Sequence, residues 1–153
     1  MRYAALLLAL LGLLTLGTTR ASELEVREAW IREAPPVADV LAGYLVIDNP
    51  GPTERSLTGA SSPLFRRVTL HRTVVSEGRA RMVRQEAVPI PPGGSVRFEP
   101  GGHHLMLMGP RQRLAAGDRV PLTLQLGDGA RLSVEARVRR GANEPGHGGH
   151  GHR

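Results

Sequence analysis

Short segments in which apolar and polar residues alternate, or in which β-branched residues gather, recur along the chain. They cover Leu24–Arg32, Leu41–Asp48, Leu57–Ala60, Arg66–Val75, Arg81–Val88, Ser95–Glu99, His104–Met108, Val120–Gln125 and Ala130–Arg139. A period of two is that of a strand with one face turned to a core. Gly- and Pro-rich turn signals separate these segments: Asn49-Pro50-Gly51-Pro52, Glu77-Gly78, Pro91-Pro92-Gly93-Gly94, Pro100-Gly101-Gly102, Ala116-Gly117-Asp118 and Gly127-Asp128-Gly129. Short strands at this spacing predict an all-β sandwich or barrel. In LQLGDGARLSVEARV, Asp128-Gly129 suits a tight primed hairpin turn. No long amphipathic helix is predicted, and Pro63-Leu64-Phe65 opens at most a short turn.

Both ends depart from this pattern. Met1-Arg2-Tyr3 is a short basic start, Ala4–Leu16 is almost wholly apolar, and Thr19-Arg20-Ala21 sets small residues around a cleavage bond. This reads as a secretory signal peptide over 1–21, cut after Ala21, because the apolar run is too short for a comfortable membrane span. A domain over 22–140 then follows, exported to the periplasm. From Gly141 the sequence GANEPGHGGHGHR has almost nothing to pack with, and 141–153 is expected to be a disordered Gly/His-rich tail.

Composition narrows the chemistry. The 153 residues include no cysteine, which excludes disulfide scaffolds, thiolate zinc fingers, iron–sulfur clusters, thiol nucleophiles and blue-copper sites. A lipid anchor built on an N-terminal cysteine is excluded on the same ground. All 20 basic residues are arginine, against 14 acids, for a net charge of +6 that falls to +4 once Arg2 and Arg20 leave with the signal. The arginines are scattered and aromatics are few, so a solvated surface is expected rather than nucleic-acid binding. No nucleophile elbow, phosphate-binding glycine loop or carboxylate pair suggests an enzyme.

The unusual residues gather in one place. After the signal only Met82, Met106 and Met108 remain, and two of these three lie beside His103 and His104 in GGHHLMLMG. On a strand, His104, Met106 and Met108 share one face while Leu105 and Leu107 share the other. If the leucines face the core, the imidazole and thioethers point outward or into a rim. Imidazole with thioether is a soft donor set that selects copper, Cu(I) in particular. Calcium or magnesium would need carboxylates, and none is near. Further ligands must come from elsewhere. His71, and Met82 across the Glu77-Gly78 turn, are the candidates.

The full spacing His71-x10-Met82-x21-His104-x-Met106 resembles that of the PCu(A)C-type periplasmic copper chaperone family. Ala29-Trp30-Ile31-Arg32, Ala42-Gly43-Tyr44, Asn49-Pro50-Gly51, Ser61-Ser62-Pro63, Ile90-Pro91-Pro92-Gly93-Gly94 and Gly117-Asp118 agree with it, so the likeness runs from about Trp30 to Val138. The resemblance implies a cupredoxin-like Greek-key β-sandwich that binds Cu(I) through His71, Met82, His104 and Met106. It implies delivery toward the CuA centre of cytochrome c oxidase, with Sco-type copper proteins and oxidase subunit II as acceptors, and no enzymatic activity. A monomer is expected. A periplasmic copper storage or resistance protein is the alternative.

One position departs from the family, where His103 stands in place of a common aromatic; it is read as a surface histidine. Met108 is read as a spare thioether beside the site. In the tail, His147, His150 and His152 sit among glycines and form a possible secondary Cu(II) site, weaker than the main one because ordering a mobile chain costs entropy. Protonation of His71 or His104 is expected to weaken copper binding below roughly pH 6.

Overall fold

The computed structural model describes residues 23–141. The expected signal peptide and the three tail histidines lie outside the described residues. Ten strands form: β1 Glu25–Arg32, β2 Val40–Asn49, β3 Arg55–Ser61, β4 Phe65–Ser76, β5 Arg79–Gln85, β6 Val88–Ile90, β7 Gly94–Phe98, β8 His103–Pro110, β9 Arg119–Leu126 and β10 Arg131–Arg139. All are strands the alternation foresees, with one division. The segment expected over Arg81–Val88 breaks at Glu86-Ala87, because its two halves serve different neighbours. The first half pairs with β4 and is exposed from Arg79 to Arg84, while Val88 and Ile90 pair with β3 and are fully buried.

The strands hydrogen-bond in the order β5-β4-β8-β7-β2-β1-β10-β9-β3-β6, and β4 also meets β3 while β8 also meets β2. The contact of Ala60 with Val68 therefore closes a ring through β3, β4, β8, β2, β1, β10 and β9. The architecture is all-β and barrel-like, with a single closed sheet where two open sheets could have stood. Most pairings are antiparallel; β1 with β10 and β7 with β8 are parallel. The interior is aliphatic, filled by Ile31, Leu45, Ile47, Leu57, Leu105, Leu107, Leu124 and their neighbours.

Turn chemistry follows the sequence with one correction. Glu77 (φ 51°) and Gly78 (φ 72°) both lie in the left-handed region between the paired Ser76 and Arg79, so the primed two-residue turn is here. At Asp128-Gly129 the expected primed turn does not form. Only Gly129 has positive φ, Leu126 and Ala130 close the loop, and Gly129 N–H donates to the Leu126 carbonyl. That is a three-residue loop ending in a left-handed glycine, the other common hairpin solution. Between β7 and β8, Gly102 N–H donates to the Glu99 carbonyl across Pro100 and a positive-φ Gly101, the residue order of a type II turn.

Two leucines decide which way β8 faces. Leu105 and Leu107 are fully buried. A Cβ on Gly43, opposite them on β2, would sit 2.9 Å from Leu107 Cδ1, so the glycine gives them their space. Each buried leucine is worth about 1.5–3 kcal/mol. A register slip of one residue would expose both and drive His104, Met106 and Met108 inside. The core thus fixes the face on which the soft donors stand.

Candidate metal centre

Strands β5, β4 and β8 lie side by side, and their registers set the site. His71 on β4 is directly opposite His104 on β8, Met106 is opposite Thr69, and Met82 on β5 is opposite Thr73. Thr69, His71 and Thr73 alternate along one strand, so all four expected ligands share a single face of the sheet. His71 is the hub. It faces His104 across one ladder and has Met106 and Met82 as diagonal neighbours on either side. Diagonal Cα separations of about 7–8 Å are within reach of long side chains. Within this face His71, His104 and Met106 are the compact part. Met82 comes from the outer strand and is 62% exposed.

The two imidazoles approach with ring centroids 5.8 Å apart, and their hydrogen bonds assign the free nitrogens. His104 Nδ1 is 3.2 Å from the Gly102 carbonyl. A carbonyl only accepts, so Nδ1 carries the proton and Nε2 keeps its lone pair. That carbonyl is held by the type II turn and also accepts from Thr73 N–H at 3.0 Å. His71 Nε2 is 3.0 Å from Thr69 Oγ1. With Nε2–H donating to this hydroxyl, Nδ1 is the free atom. His71 Nδ1 and His104 Nε2 are both buried and lack any hydrogen-bond partner among the described residues. A buried polar atom without a partner costs about 1–3 kcal/mol, and two on facing rings mark a place built to receive something. Thr69 and the Gly102 carbonyl do what outer partners do around metals: they fix tautomer and ring orientation. Neither was singled out from sequence, although Thr69 lies two residues before His71 on the same face.

Burial holds His71 below the ordinary imidazole value of 6.5, and the facing His104 and the Arg84 guanidinium push it the same way. The ring is thus kept neutral, the form that donates to a metal. Among the described residues no group of three or more His, Asp or Glu side chains is placed to hold a metal ion. For an ion held between these histidines, the further side-chain donors that share their face include the thioethers of Met106 and Met82, which favour a soft cation.

Two neighbouring expectations change. The histidine at 104 is on the outer face, as expected, yet it is buried rather than rim-exposed (5% accessible). His103 is not a surface residue: it is half-buried, its ring centroid 5.5 Å from that of Phe98, with its Nδ1 also unpartnered. Burial, Arg72 and His104, in that order, lower its pKa. It faces away from His104 by the strand's alternation. Met108 stands on the ligand face, one step beyond Met106, where Arg67 Nη2 lies 3.4 Å from its Sδ.

Residues 24–138 match the family model described as "Putative lipoprotein LpqE-like", which is the PCuAC family. The chain belongs to the PCuAC family. A Leifsonia xyli subsp. xyli protein named as a lipoprotein is 34% identical, over 82% of this chain and 76% of that protein. The solution structure of the Cu(I) form of DR1885 from Deinococcus radiodurans is 31% identical, with a TM-score of 0.66, covering 81% of this chain and 83% of that one. The copper-bound PCuAC domain of PmoF2 superposes with a TM-score of 0.67 over 79% of this chain and 96% of that domain; at 21% identity it speaks for the fold alone. PCuAC domains form a copper-chaperone family and not an enzyme family.

Proposed function

We propose that this PCuAC chain is a periplasmic copper chaperone that carries Cu(I) as cargo on His71, Met82, His104 and Met106. The observation that carries the reading is the pair of buried, unpartnered imidazole nitrogens, His71 Nδ1 and His104 Nε2, on the same face as Met106. Neutral imidazole and thioether suit Cu(I), and the likeness to a Cu(I)-bearing PCuAC structure supports the same cargo. The closed barrel is read as a cupredoxin-like Greek-key fold. Relatives named as lipoproteins support export, in keeping with the leader-like N-terminus.

Delivery toward the CuA centre of cytochrome c oxidase, through Sco-type proteins or directly to subunit II, is the proposed destination. All four ligands are neutral, so bound Cu(I) keeps its positive charge. A thiolate acceptor neutralises it and outcompetes thioether. Met82, the exposed ligand on the outer strand, is the first that an incoming thiolate can replace, while Met106 and the histidines stay fixed by the core. Tail residues His147, His150 and His152 are proposed to hold Cu(II) weakly or to raise its local concentration. Truncation before Ala142 with unchanged Cu(II) uptake would remove that role.

The direct test is anaerobic Cu(I) competition against a chromophoric chelator with residues 22–153. One tight equivalent that weakens in a Met82→Leu/Met106→Leu double variant is expected. Absence of a tight equivalent, or indifference to the substitutions, would end the His/Met reading.

A further inference from the structure

The formal charge of the described residues is concentrated on one hairpin. Strands β4 and β5 with their turn, Phe65–Gln85, hold six arginines and a single acid, Glu77. The rest of the described residues hold eleven arginines and twelve acids. The hairpin is therefore +5 and the rest of the described residues −1. Arginines that are scattered along the sequence thus leave their excess charge on one unit of the fold.

The same hairpin leaves apolar surface uncovered. Pairing of β4 with β8 ends at Arg72–His103, with one further bond from Thr73 N–H to the Gly102 carbonyl, so the turn end, from Val74 to Arg81, projects past its neighbour. Val74, Val75, Met82 and Val83 are 42%, 69%, 62% and 45% exposed, and they make up four of the six large exposed hydrophobics among the described residues. Strand β5 also ends the sheet, so among the described residues its outer backbone groups have no strand beside them. Arg79 and Arg81 have no ion-pair partner among the described residues. Exposed apolar groups flanked by mostly positive charge, beside the proposed copper site, describe a docking surface.

We infer that the projecting β4–β5 hairpin is the surface on which a protein acceptor docks, and that the acceptor presents an acidic rim around an apolar patch at its own metal site. This deepens the chaperone reading and rests on it. A second copy of this chain fits poorly, because two β5 edges paired antiparallel would bring Arg79, Arg81 and Arg84 against one another. An anionic membrane fits poorly too. The hairpin exposes no aromatic residue to anchor at an interface, its only one being the buried Phe65. Docking here sets the acceptor beside Met82, the ligand nearest the solvent.

The experiment compares three Cu(I)-loaded proteins: the wild type, Arg79→Glu/Arg81→Glu, and Arg131→Glu/Arg137→Glu. The last makes the same charge change on exposed positions of β10, across the ring. Stopped-flow transfer to the soluble metal-binding domain of oxidase subunit II is followed from low to high salt, with chelator competition and a melting curve for each variant. Expected is transfer about tenfold or more slower at low salt for the hairpin variant only, converging with wild type near 1 M salt. Its Cu(I) affinity should be unchanged. Equal slowing by both variants would mean net-charge steering and overturn the hairpin's role. So would unaltered transfer, or wild-type binding to phosphatidylglycerol vesicles that the hairpin variant loses. A tight Cu(I) equivalent with no transfer even from wild type would sink delivery to subunit II and this inference together. Loss of the tight equivalent itself would instead fault the site.

Discussion

The barrel and the β4–β5 hairpin are made by the same alternation but obey different rules. In the barrel the inward positions are aliphatic and closed off: Ile31, Leu57, Leu105, Leu107 and Leu124 have no accessible surface. Past Arg72 the hairpin has no inside, and valines stand in water on both of its faces. Stability belongs to the first region, and the proposed docking of an acceptor to the second. The His/Met face lies where they meet, with His104 and Met106 on a strand gripped by the core and Met82 on a strand that, among the described residues, pairs with β4 alone. A carrier needs that asymmetry, since ligands that were all rigid would hold the ion and ligands that were all mobile would lose it.

The widest gap between the regions should appear in stability. Leu107→Ala removes a fully buried side chain packed against Gly43 and should cost about 2–5 kcal/mol in urea unfolding. Val83→Ala on the hairpin should stay within about 0.5 kcal/mol of wild type. Similar costs at the two positions would mean that the hairpin is part of the folding core.

At the junction, function and stability should separate. His104→Leu removes a proposed ligand and should lower Cu(I) affinity by at least about a hundredfold, beyond what outer partners of metal sites contribute. The same change deletes a buried nitrogen that has no partner, and the Gly102 carbonyl keeps its bond from Thr73 N–H. Metal-free stability should therefore hold or rise by up to about 2 kcal/mol. A large loss of stability would show His104 to be structural.

Thioethers on the two sides of the junction should differ by less. Met106 is half-buried on the gripped strand and Met82 is exposed on the outer one. Met106→Leu should weaken Cu(I) about tenfold more than Met82→Leu, whereas transfer to a thiolate acceptor should respond more to Met82→Leu. The reverse order of affinities would make Met82 the anchoring ligand.

How far the sequence foretells this depends on range. Strand positions were legible because alternation is local, and the ligand face was legible because Leu105 and Leu107 could only go inward. Closure of the ring was not, since it hangs on the pairing of Ala60 with Val68, which no periodicity encodes. The division at Glu86-Ala87 was hidden because one apolar-rich run serves two distant neighbours. Asp128-Gly129 misled because a left-handed glycine suits both the primed turn and the three-residue loop, and flanking register chooses between them. At the site, spacing picked out the four soft side chains, but the roles of Thr69 and the Gly102 carbonyl depend on cross-strand placement. The charge on the hairpin emerged only when β4 and β5 were seen as one projecting unit.

The smallest expected effect is a displaced titration, and it reports on the same junction. Burial first, then His104, then Arg84 lower the pKa of His71. In the metal-free chain its NMR titration midpoint should lie below 6.5. His104→Leu should move it up, Arg84→Gln should move it up by less, and neither should restore 6.5, since burial remains. A histidine that resists protonation when folded binds more protons unfolded, so stability rises with pH across this window. The contribution is complete above 6.5 and is lost as pH falls through 6.5 toward the folded value. For Cu(I), a competing proton gains His71 later than it gains a free imidazole. Affinity should therefore persist to lower pH than the roughly pH 6 expected of unperturbed histidines. A His71 midpoint at or above 6.5 would mean the ring is as solvated as the hairpin beyond it, and the boundary between the two regions would have to move inward to His104.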